Sequence, residues 1–150
     1  MVSRKDAFRM VSDLLGSQLV GVLSTNGAYG PYASLVAFAA SNDLKHLVFA
    51  THRKTRKYAN LSRESRVAFL VDNRNNRPSD TCRSAGVTAL GRAEALQAQG
   101  KAEWLTRYLQ RQPHLEEFIR SPGSVLVRIR VQRYLLVRHF QDVMELEMAE

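Results

Sequence analysis

Cysteine is nearly absent from this sequence. Its single instance, Cys82, cannot close a disulfide within the chain or build a zinc site alone, which fits a reducing, cytoplasmic setting. Four prolines and eight glycines in 150 residues exclude collagen-like and low-complexity chains. Long apolar runs are also missing: the stretch from Ala33 to Ala40 is far shorter than the roughly 20 residues that a membrane helix needs. The opening MVSRKDAF has no apolar segment behind its charges, so no secretory leader is expected. The usual catalytic and phosphate-binding signatures, G-x-G-x-x-G, the Walker loop, G-x-S-x-G and H-E-x-x-H, do not occur. His46, His52, His114 and His139 are scattered without metal-ligand spacing, and no isolated carboxylate pair offers general acid–base chemistry.

The chain is long enough for one domain, residues 1–150, burying roughly 70% of its unfolded surface. Lys and Arg outnumber Asp and Glu by 22 to 14, for a net charge of +8. The excess is mostly arginine, whose guanidinium grips phosphate or carboxylate in a bidentate fork. A nucleic acid, a small phosphorylated ligand and a solvated basic surface all suit that charge.

Hydrophobic periodicity and turn residues divide the chain into short elements. Residues Ser3 to Gly16 read as a helix, with Ser3 and Asp6 resembling a capping box and Ala7, Val11, Leu14 and Leu15 as its apolar stripe. Strands are expected over Leu19–Ser24, Tyr32–Ala40, His46–Thr51, Val67–Asp72, Val87–Leu96, Val125–Val131 and about Tyr134–Phe140. Helices are expected over Lys54–Ser65 and Gln97–Gln112, with a short one after Pro113. Asn73–Ser84 reads as a long polar loop, and an acidic tail follows Phe140. Many short strands with few crossover helices predict a mainly β (α+β) fold: one closed or partly closed antiparallel sheet of six to seven strands with flanking helices.

Six of the 22 basic residues fall in THRKTRKYANLSRESR, Thr51 to Arg66, where a strand gives way to a helix. Free N–H groups and the positive dipole end favour an anion there. Thr51 and Thr55 add hydroxyls, and Arg53, Lys54, Arg56 and Lys57 add charge. The stretch reads either as a phosphate cradle or as a solvated basic helix face. In the second strand, Ala33, Ala37 and Ala39 leave much of one face nearly flat, with Leu35 the exception, so that a helix, another strand or a planar ligand must lie close to it. Trp104 reads as packing, and Cys82 as a bystander in an Arg-rich loop.

ATHRKTRKYANL, ESRVAFLVD and VTALGRAEAL, in this order after a hairpin, resemble the FMN-binding split β-barrel proteins related to pyridoxamine 5'-phosphate oxidase. The ending YLLVRHFQDVMEL is similar to the closing strand of their haem-utilisation branch, and the likeness spans about residues 15–145. It implies a homodimer with FMN at the subunit interface and an oxidoreductase acting on a small molecule. Ser34, Leu35 and Val36 would run along the flavin ring, while Thr51, His52, Thr55, Arg56 and Lys57, with Lys54 and Asn60 beside them, would hold the phosphate and ribityl chain. Arg92 would reach the cofactor of the partner subunit. Gly86 stands where the family often carries Gln, and the long substrate-holding C-terminal arm of true pyridoxamine 5'-phosphate oxidases is missing, so that specific activity is not expected. Two other classes fit less well: a haem or deazaflavin binder on the same fold, and a nucleic-acid-binding barrel using Arg56, Lys57, Arg74 and Arg77, for which stacking aromatics are lacking.

Overall fold

The computed structural model describes residues 2–139 and 142–149. Its strands are β1 (Val20–Gly27), β2 (Gly30–Ala40), β3 (His46–His52), β4 (Arg66–Asp72), β5 (Ala85–Ala95), β6 (Ser124–Arg138) and β7 (Asp142–Glu147). Its helices are α1 (Arg4–Ser17), α2 (Arg56–Arg63), α3 (Asp80–Arg83), α4 (Lys101–Arg111) and α5 (Glu116–Arg120), with a 3₁₀ turn at Pro113–Leu115. The strands form one antiparallel sheet in the order β3-β2-β1-β4-β5-β6-β7, and β3 also pairs with β6. The first six strands therefore close into a barrel, and β7 extends the C-terminal half of β6. Closure removes most of the free edge that an open sheet of this size would expose, leaving β7 and the first part of β2 with one unpaired side.

Alternation decides what faces inward. Val87, Ala89, Gly91 and Ala93 of β5 meet Leu23, Phe69, Val131 and Tyr134 in the core, while Thr88, Leu90 and Arg92 point outward. β3 is buried on both faces, because α4 lies over its outer side as well as over β2. Two α4-end side chains tie that layer down. Tyr108 Oη donates to Ala37 O at 3.1 Å, and Gln112 Nε2 donates to Leu19 O and Phe38 O at 2.8 and 3.0 Å. The flat face expected on the second strand thus divides. A helix covers its Ala37 end, but Leu35 is 70% exposed and Ala33 is open too.

α1 begins as expected: Ser3 caps it by accepting from Asp6 N, and Ala7, Val11, Leu14 and Leu15 are buried. Four expectations need correction. The strands read at Val125–Val131 and from Tyr134 are one strand, β6, which bends at a bulge where the register slips between Leu90 and Gly91. The acidic tail is strand β7, zipped to β6 with Arg133 paired to Glu145 at 2.7 Å. The loop Asn73–Ser84 contains the single turn α3, organised by Asp80 accepting from the N–H groups of Asn75 and Arg77. The helix expected from Gln97 begins at Lys101, after Gly100 in the left-handed region at φ +79°. Phe140 and Gln141 lie outside the described residues.

Candidate cofactor site

The barrel is split on one side. β2 pairs with β3 only over Phe38–Ala40 against Leu47–Phe49. Beyond Phe49, β3 continues along β6, with Ala50, Thr51 and His52 opposite Leu126, Val125 and Ser124. Residues Gly30–Ala37 of β2 therefore have a ladder partner, β1, on one side only. Phe38 N bonds to Leu19 O on the β1 side, so by alternation the N–H and C=O groups of Ala33 and Leu35 face the open side.

The end of β3 and the start of α2 meet at this opening. Thr51 Oγ1 and Thr55 Oγ1 lie 2.9 Å apart, and Thr55 Oγ1 donates to His52 O at 2.8 Å. Thr55 also caps α2 by accepting from Tyr58 N at 3.3 Å, which leaves the first-turn N–H groups of Arg56 and Lys57 without a side-chain cap. Around these groups stand Arg53, Lys54 and Arg56, all exposed, and the half-buried Lys57. Arg56 lies over the Tyr32 ring at 5.5 Å, joining the helix start to β2 two residues before Ser34. The hydroxyl of Ser34 is buried and makes no hydrogen bond.

The residues singled out from sequence separate into distinct positions. Thr51, Thr55, Arg56 and Lys57 form one cluster with Lys54 at its rim. His52 is next to them with both ring nitrogens engaged: Nδ1 accepts from Lys54 N at 3.2 Å, and Nε2 lies 3.2 Å from Pro122 O. Asn60 is buried and turned to the barrel, its Nδ2 donating to Thr25 Oγ1 at 3.0 Å. In β2 the side chains alternate: Ser34 and Val36 share the inward side with Leu23 and Gly21, whereas Leu35 points outward. Arg92 is at the other end of α2 from the cluster, donating to Ser65 Oγ at 3.1 Å. Tyr32, which supports Arg56, and Pro122, which anchors His52, carry no signal of these roles in the sequence, because neither pairing is visible without the fold.

Residues 9–138 match the family model described as pyridoxamine 5'-phosphate oxidase, and the chain belongs to that family. No curated protein matches it. Among solved structures, a haem binding protein from Mycobacterium smegmatis superposes with a TM-score of 0.84 at 21% identity, covering 94% of this chain. The chain spans only 57% of that protein's length. A Clostridium acetobutylicum protein of the pyridoxinephosphate oxidase family, related to a general stress protein, gives 0.76 at 17% identity, with 98% and 97% of the two chains covered. A FAD-binding protein from Mesorhizobium loti gives 0.68 at 19% identity, covering 85% of this chain and 91% of its own. These likenesses establish the split-barrel fold. Among the described residues no helix is long and apolar enough to cross a membrane.

Proposed function

We propose that the chain is an FMN-binding flavoprotein that works as a flavin-dependent oxidoreductase on a small molecule, as a homodimer with the cofactor at the subunit interface. The observation that carries this reading is the hydroxyl-and-cation cluster of Thr51, Thr55, Arg56 and Lys57, opening on the unpaired edge of β2. A terminal phosphate suits the cluster, since guanidinium, ammonium and helix N–H groups give short charge-assisted bonds to its oxygens. The free N–H and C=O groups of Ala33 and Leu35 suit the polar rim of a flat ring system, and the small Ala33 leaves room for it. The buried, unbonded Ser34 hydroxyl is a further polar group beside that edge. When bound, the flavin supplies the electron transfer, and the protein supplies binding, orientation and electrostatics. His52, with both ring nitrogens engaged, and Asn60, whose Nδ2 is bonded to Thr25, then act as supports.

Dimerisation is supported by the outer face of the barrel. Val20, Leu35, Leu70, Val137 and Val143 are between 38% and 70% exposed on neighbouring strands, with Val22, Leu90 and Leu135 between them. An apolar face of that extent usually meets a partner.

The visible spectrum of the purified protein tests the cofactor. Flavin bands released by acid, and restored by added FMN, are the expected result. A Soret band would favour haem, the ligand of the Mycobacterium smegmatis protein, and a colourless protein that takes up no FMN would overturn the reading. Replacing both Arg56 and Lys57 by Ala should weaken FMN binding by several kcal/mol, at roughly 1.5–3 kcal/mol per charged hydrogen bond.

A further inference from the structure

A second basic cluster lies apart from the Thr51 cluster, on the outer face of the barrel. The register sets Arg66 of β4 directly opposite Arg92 of β5, and Arg92 directly opposite Arg130 of β6. Adjacent strands are about 4.8 Å apart, so three exposed guanidiniums stem from a row roughly 10 Å long. Like charges placed opposite one another destabilise a sheet. Two neighbouring arginines are neutralised: Arg66 pairs with Glu64, and Arg128 with Glu94. The other two are not. Arg92 donates to the neutral Ser65 hydroxyl, and Arg130 makes no side-chain hydrogen bond or ion pair among the described residues. A groove of about 430 Å³ opens over them, lined by Ser65, Arg92, Glu94, Arg130, Gln132 and Met148. At the far end of the same cross-strand row, His46 of β3 sits opposite Arg130. Burial first, and then the charge of Arg128, hold its imidazole below the ordinary histidine range; Arg130 adds to this, while Asp43 and Glu94 oppose it.

We infer that Arg92 and Arg130, with Ser65, form a binding site for the phosphate monoester dianion of a small molecule, separate from the cofactor cluster. Arg92 and Arg130, which make no ion pair among the described residues, match a group carrying close to two negative charges at neutral pH. Arginine forks and a hydroxyl are suitable donors for its oxygens. A dianion seated there removes the repulsion that the register imposes. The inference does not depend on the flavin reading.

The test titrates the full-length protein, saturated with FMN to block the Thr51 cluster, with inorganic phosphate in a calorimeter. Acetate at matched ionic strength is the singly charged comparison. One phosphate per chain is expected, with acetate far weaker. Arg92→Gln and Arg130→Gln should each weaken phosphate at least about tenfold. In phosphate-free buffer Arg130→Gln should melt no lower than the parent, because it relieves opposed charge, which also shows that the variant folds. The Arg56→Ala, Lys57→Ala protein should keep its phosphate affinity at the row whether or not it has lost FMN, so the two sites succeed or fail separately. Equal responses to phosphate and acetate would mean ionic screening only and would overturn the site. So would release of FMN from the Arg92→Gln or Arg130→Gln protein, which would assign the row to the flavin site. A change of oligomeric mass in those variants would make it a subunit contact and overturn the site as well.

Discussion

Asn60 carries much of the join between α2 and the barrel. It is buried, donates to the buried Thr25 hydroxyl at 3.0 Å, and packs so tightly on Gly27 that a Cβ there would meet Asn60 Oδ1 at 2.8 Å. Asn60→Ala leaves the Thr25 hydroxyl without that donor and should cost about 1–3 kcal/mol in urea denaturation. An unchanged midpoint would show that the bond contributes nothing net. Tyr108 makes a second residue-scale prediction. Burial pushes its phenol up to about 12, from an ordinary value of 10.0, and raises that of Tyr134 as well. A raised folded value means that the stabilisation is complete below pH 10 and is lost as pH climbs from 10 towards 12. Thermal melts should therefore fall steeply over that window. Tyr108→Phe should flatten the fall at some loss of stability at neutral pH, because its bond to Ala37 O disappears.

At the scale of elements, the bulge in β6 rests on Gly91. Any Cβ at that position would run into the backbone carbonyl of Arg130, so Gly91→Ala must either shift β6 or break the local pairing. A loss of roughly 1–3 kcal/mol is expected, the range in which overpacking falls, and a melting curve measures it. Most elements were legible in the sequence because their signals are local. The Ser3 cap, the helical stripe of α1 and the apolar alternation of β5 and β6 are set by neighbours a few residues away. What was missed depends on distant partners. β7 reads as an acidic tail because Glu145 and Glu147 are compensated by Arg133, a pairing that only the β6–β7 register creates. The bulge is invisible because Gly91 is one small residue among several on its face, and only the slip against β6 gives it a role. In the site, the Thr51–Lys57 cluster could be read from hydroxyls and cations at a strand-to-helix junction. The row of Arg66, Arg92 and Arg130 could not, since it comes from three strands aligned by register.

For the whole molecule, the proposed function makes the outer face of the barrel the link between assembly and cofactor binding. Leu35 is the most exposed large apolar side chain of the strands and also belongs to the β2 segment that borders the split. If two barrels pack through that face, Leu35 is desolvated by the partner, and the β2 edge proposed to meet the flavin ring is closed by the same contact. Leu35→Glu places a charge there at little cost to the isolated barrel, because the position is 70% exposed in one chain. In a dimer the charge is buried without a partner, a change costing several kcal/mol per ion. Light scattering should then report the mass of one chain where the parent gives two, with the far-ultraviolet circular dichroism unchanged. The monomer should bind FMN much more weakly than the parent, even though Thr51, Thr55, Arg56 and Lys57 are intact. A Leu35→Glu protein that remains a dimer would move the interface to another face. One that becomes monomeric yet keeps full FMN affinity would show that each barrel builds its cofactor site from its own residues alone.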